Sequence, residues 1–169
     1  KSTPTRSVWG SSFGALIFAG EHHTCVHHSQ ETLLESPWLS EIEGHVKCTG
    51  DNRFGQLGDN SLDSNTDWVE TQYLDITNSV VFQGKVTVGW NHNCGLLGEY
   101  LRCWGSNSTG QLGWPNPQLS QSAPPVTYSP GAVYSGAKYF GHLTAGGSHT
   151  CVGSQGGSIA CFGSNSDGQ

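Results

Sequence analysis

One phrase recurs along this chain: GDNRFGQLG at 50–58, GSNSTGQLG at 105–113 and GSNSDGQ at 163–169. Each copy is preceded by Gly-x-x-His-x-Cys and by a second Cys separated from the phrase's first Gly by one residue. Self-similarity over so long a unit marks a tandem-repeat architecture, in which neighbouring units bury the apolar faces that none can bury alone. Aligned on the first cysteine (Cys25, Cys94, Cys151) the copies lie 69 and 57 residues apart, and aligned on the second (Cys48, Cys103, Cys161) they lie 55 and 58 apart. The first copy therefore carries an insertion between its two cysteines.

Composition fixes what each unit is built from. With 24 Gly among 169 residues, few charges and hardly a segment that could carry a 3.6-residue apolar stripe, the chain reads as short strands punctuated by turns, an all-β protein. A net charge of -6 with no Lys/Arg cluster argues against a nucleic-acid partner, because neutralising phosphates takes a concentrated basic face. No apolar run approaches the length of a membrane span. The start at Lys1, without an initiator Met or a signal peptide, leads us to expect a processed or partial product.

Hairpin geometry gives the cysteines their pairing. Between Cys94 and Cys103 a two-residue Gly98-Glu99 loop, with Gly first as a type II′ turn prefers, sets the two cysteines opposite one another. Between Cys151 and Cys161 a three-residue loop, Gln155 to Gly157, does the same. Opposed residues on antiparallel strands stand about 4.5–5.5 Å apart, within reach of a disulfide. We infer Cys25–Cys48, Cys94–Cys103 and Cys151–Cys161, and with them an oxidising compartment. Zinc is the competing reading, since His23, His92 and His149 each stand two residues before a Cys, but one His and two Cys per unit fall one ligand short of a closed tetrahedral shell. In the first copy, residues 27–47, including Pro37 and Trp38, are expected as a surface excursion.

The unit Gly-x-x-His-x-Cys, hairpin, Cys-Trp-Gly-x-Asn-x-x-Gly-Gln-Leu-Gly, fullest at 89–113, resembles the repeat of the regulator of chromosome condensation family. That resemblance implies a β-propeller of typically about seven four-stranded blades. It divides the chain into a partial first blade at 1–49 with a hairpin insertion at 27–47, a second repeat at 50–104 and a third at 105–169. The chain departs from the pattern where Thr49 and Phe162 replace the Trp seen at Trp104.

Most repeated residues suit scaffold roles. Gly55, Gly58, Gly110 and Gly113 fit positive-φ turns between blades, and the amides of Gln56, Gln111 and Gln169 fit the backbone polar groups such turns leave unpaired. The recurring histidines fit a hydrogen-bonding role common to every blade, and Trp104 and Phe162 fit positions between blades. No catalytic constellation appears, and the Gly-rich phrases follow strands without leading into helices, so we expect neither an enzyme nor a bound cofactor or metal. Three units leave an unclosed ring. We therefore expect either a segment of a longer propeller or copies that complete one another.

Function then falls to surface loops at 27–47, 59–79 and 114–138, offered to a protein or glycan partner or to further copies of the chain. Trp38, Trp114, Pro124, Tyr128 and Tyr134 are the candidate interaction residues, and Asn107 heads an N-glycosylation sequon. An extracellular interaction or structural propeller, set in a matrix, surface layer or appendage, is the leading expectation. A secreted binder of inhibitor or receptor type is the second, for which a fold-related bacterial propeller that inhibits β-lactamases is a precedent. Nucleotide exchange on a nuclear GTPase with chromatin binding, the family's founding activity, ranks last because disulfides and acidic balance suit a reducing nucleus poorly.

Overall fold

The computed structural model describes residues 15–33, 40–72, 82–97, 100–113, 126–135, 140–154 and 157–169. They form three antiparallel sheets. Blade I comprises β1 (Ala15–Ala19), β2 (His23–Leu33), β3 (Ser40–Gly50) and β4 (Asn65–Glu70) in that order across the sheet. Blade II repeats the order with β5 (Phe82–Val88), β6 (His92–Leu97), β7 (Tyr100–Ser106) and β8 (Val126–Ser135). Blade III contains β9 (Phe140–Ala145), β10 (His149–Ser154) and β11 (Ile159–Gly163). Each strand pairs with its chain neighbour, a meander that hairpin turns make with little loop-closure cost.

Register follows the turn lengths. Cys25 opposes Cys48, Cys94 opposes Cys103 and Cys151 opposes Cys161, and each pair is joined by a disulfide with 4.1 Å between Cα atoms. Leu97 opposes Tyr100, which leaves residues 98–99 to connect the strands, although that loop itself lies outside the described residues. In blade III Ser154 N–H donates to Ser158 O across the three-residue loop.

Three expectations need correcting. The excursion at 27–47 is a lengthened ribbon: β2 and β3 stay paired from His23–Gly50 out to Leu33–Ser40, leaving only 34–39, with Trp38, outside the described residues. Blade I is a full four-stranded sheet reaching Glu70, because the repeated phrase does not join blades; it connects a blade's third strand to its fourth. The expected loops at 59–79 and 114–138 accordingly contain β4 and β8, so Tyr128 and Tyr134 stand on an outer strand, with Tyr134 opposite Leu101. Trp114 and Pro124 lie outside the described residues. Pro130 sits where the β7–β8 register shifts, a place a sheet edge tolerates a residue without an N–H.

Two apolar clusters lie between blades. Cys25, Val46, Cys48 and Leu57 of blade I meet Val86 and Trp104 of blade II. Cys94, Leu96, Leu101, Cys103 and Leu112 of blade II meet Val152 of blade III, with Leu143 and Phe162 packed alongside. Trp104 and Phe162 thus occupy one repeat position, facing backward into the preceding blade.

Candidate functional site

Three tight turns of the sequence Gly-x-x-His come together at one end of the blades. Each is closed by its own backbone: Gly20 N–H to His23 O at 2.9 Å, Gly89 N–H to His92 O at 2.8 Å and Gly146 N–H to His149 O at 3.0 Å. Blades are stitched at the same place, where Glu21 N–H donates to Trp90 O and Trp90 N–H to Gly147 O. A Cβ on Gly89 would collide with His92 Cε1 and lie 2.8 Å from Gly146 O, so only glycine lets the turn close over its own imidazole while touching the next turn. The turns line an open concavity of about 320 Å3 walled by Ala19–Glu21, Val88–Trp90 and Ala145–Gly147. At its rim Trp90 is 58% exposed, its indole lying over Gly147, where a side chain would collide with the ring. Glu21 and His22 are exposed beside it.

Beneath the turns runs a relay of hydrogen bonds from blade to blade. His23 Nε2 meets Asn93 Oδ1 at 2.7 Å, and Asn93 Nδ2 donates to Gln56 O. His92 Nε2 meets Thr150 Oγ1 at 2.8 Å, and Thr150 Oγ1 donates to Gln111 O at 2.9 Å. Since Thr150 has given its one proton to Gln111 and Asn93 Oδ1 can only accept, both histidines must donate from Nε2, which leaves Nδ1 bare. Among the described residues Nδ1 of His23 and of His92 meets no acceptor that would hold a second proton, which agrees with a neutral ring. Burial lowers the pKa of both rings, that of His92 to about 4, with the neighbouring His23 and His149 adding repulsion.

The repeated phrase is a self-capping turn. Asn52 Oδ1 accepts Leu57 N–H at 2.9 Å and Asn107 Oδ1 accepts Leu112 N–H at 3.0 Å, driving both leucines into the clusters between blades. Gln56, Gln111 and Gln169 each accept, at 2.9 Å, the N–H of the residue two before. Gly55, Gly58, Gly110 and Gly113 have φ between 70° and 81°. Trp104 Nε1–H donates to Gln56 O at 3.1 Å, adding a polar tie to its packing. Asn107, the sequon residue, is 7% exposed with its carboxamide serving this turn. Asp51, held below the usual carboxylate range by its hydrogen bond from Arg53, is a surface ion pair.

Sequence reasoning passed over Asn93, Thr150, Glu21 and Trp90. The position between His and Cys is polar in every copy (Thr24, Asn93, Thr150), a signal for the relay's acceptor. The residue after the turn glycine differs in every copy (Glu21, Trp90, Gly147), so the repeat itself carries no signal for what stands there.

Chemically the site is suited to contact. Thr150 with His92 has the look of a hydroxyl and its base, but the ring donates to the hydroxyl and cannot accept from it. The six cysteine sulfurs are bonded to one another, and among the described residues no group of three or more His, Cys, Asp or Glu side chains could hold a metal ion. No helix among them is long and apolar enough to cross a membrane.

Antiparallel meanders, two of four strands and one of three among the described residues, meeting at glycine turns around a shared concavity, define this protein as a section of a β-propeller. Among solved structures it is similar to yeast RCC1 (Prp20) bound to Kap60, with TM-score 0.62 and 15% identity over 94% of this chain and 45% of that one. A second structure, Prp20p from Saccharomyces cerevisiae, studied for its binding to Gsp1p and histones, gives 0.61 and 20% over 88% of this chain and 32% of that one. Human WBSCR16 gives 0.60 and 14% over 88% and 47%. The fold is therefore RCC1-like, and the chain spans less than half the length of each of these structures. No protein-family model matches the chain, and a search of curated proteins finds no match.

Proposed function

We propose that this protein is a non-enzymatic, extracellular interaction propeller that offers its axial end to a protein partner. The observation that carries this reading is Trp90, a large indole 58% exposed at the rim of a concavity whose floor is glycine, with Glu21 beside it. An aromatic ring held by the turn beneath it gives contact area at little entropic cost, the usual make-up of an interface anchor. Burial disfavours the charged form of His23 and His92, and both are engaged in holding blades together, which supports a scaffold over a reaction centre. A disulfide in each blade supports an oxidising setting such as a matrix, surface layer or appendage. The solved neighbours' partners, Kap60, Gsp1p and histones, are proteins, and a protein partner here follows that precedent without borrowing those names.

The test is affinity capture from native extracellular material with the folded chain and with Trp90→Ala. A stoichiometric partner is expected with the parent chain and at least about tenfold less with the variant, at unchanged melting temperature. Capture indifferent to Trp90 would remove the axial end from the reading. Thiols alkylated in native material without reductant would remove its extracellular setting.

A further inference from the structure

Each blade has two unlike faces, and the two internal interfaces join them in the same way. The forward face carries the histidine, the disulfide and an apolar residue two before the second cysteine, Val46 in blade I and Leu101 in blade II, both buried by the next blade. The backward face carries the residue between His and Cys, which accepts the hydrogen bond from the preceding blade's histidine, and an apolar residue on the innermost strand. That residue is Val86 in blade II and Leu143 in blade III.

Blade III has a forward face with all three elements. His149 stands at the relay position, Cys161 is exposed, and Ile159, at the position of Val46 and Leu101, is 77% exposed. Blade I has the complementary backward face. Thr24 stands at the position of Asn93 and Thr150, and Ile17, opposite Val26 as Val86 is opposite Gly95, is 72% exposed. A hydroxyl between His and Cys is the group that accepts from His92, so Thr24 is chemically fitted to accept from His149.

We propose that these two faces form a third interface of the same kind between two copies of this chain, head to tail. Ile17 and Thr24 of one copy cover Ile159 and the Cys151–Cys161 disulfide of the other, with His149 donating to Thr24. The contact continues an interface already made twice within the chain, and its apolar residues are the largest exposures at positions that are buried elsewhere. Because the two surfaces differ, it is heterologous, so copies add in one direction and the series either closes or runs on.

The test uses the full chain, Ile17→Asp and Ile159→Asp; both positions are exposed, so each variant should fold, which circular dichroism and melting temperature would confirm. Sedimentation velocity over a concentration series is expected to show assembly of the parent chain and weakening of about tenfold or more in either variant alone. An equimolar mixture of the two variants is expected to form dimers and stop there, because each retains one intact face of opposite kind. A parent chain that stays monomeric overturns the proposal and leaves these faces to another partner. Assembly unchanged in either single variant, or a mixture that fails to dimerise, overturns it as well.

Discussion

At the scale of single residues, the relay histidines make stability depend on acidity with a defined sign. His92 titrates near 4 in the folded chain against 6.5 when free, so the unfolded chain binds the proton more tightly. Its contribution is present in full above pH 6.5 and is lost as pH falls through that value towards 4, a change on the order of 3 kcal/mol. Melting temperature followed from pH 7 to 4 should fall along this limb, and in His92→Gln the limb should flatten. Burial lowers the pKa of His23 in the same direction, and the two losses would run together. Gly89→Ala tests the turn above: its Cβ would strike His92 and Gly146 O, and a cost of about 3 kcal/mol is expected in urea unfolding. The shared role of the histidines was legible from their recurrence. Their acceptors were not, since Asn93 and Thr150 come from the following blade and a contact 58 or 70 residues away leaves no mark on local spacing.

Among the elements, the three disulfides lie on the same forward side of equivalent hairpins but meet different surroundings. Cys25–Cys48 and Cys94–Cys103 are closed off by the next blade, while Cys161 is exposed. At concentrations where the chain is monomeric, limited reduction with trapping should therefore release Cys151 and Cys161 first, at least about tenfold faster than the other four, as mapped by mass spectrometry. The inner hairpins could be read from sequence because short loops of known length fix register and put cysteine opposite cysteine. Outer strands could not. β4 and β8 are edges with little apolar alternation, and β8 contains Pro130 and Gly131, so TDWVE and TYSPGAVY pass for loops until their pairing with β3 and β7 is seen. The ribbon of β2 and β3 was hidden by its polar run, whose pairing is dictated by the hairpin behind it.

For the molecule as a whole, the core is distributed between blades, so stability is a sum of neighbour contacts and should be uneven. Blade II is covered on both faces, whereas blades I and III each present one face at which Ile17 or Ile159 is exposed. Native-state hydrogen exchange is expected to find the slowest amides in β6 and β7, with β1 and β11 opening earlier; uniform protection across the sheets would contradict an additive array. The repeat and its fold were plain in the sequence, while the axial end was not, because Trp90 and Glu21 occupy a turn position where copies disagree. The hydrogen bond from His23 to Asn93, repeated from His92 to Thr150, gives every joint a donor behind and an acceptor ahead. A duplicated or deleted stretch of gene that spans one whole period would bring both partners of a joint with it. Descendants with more or fewer blades could thus arise in a single genetic event, with no compensating change elsewhere.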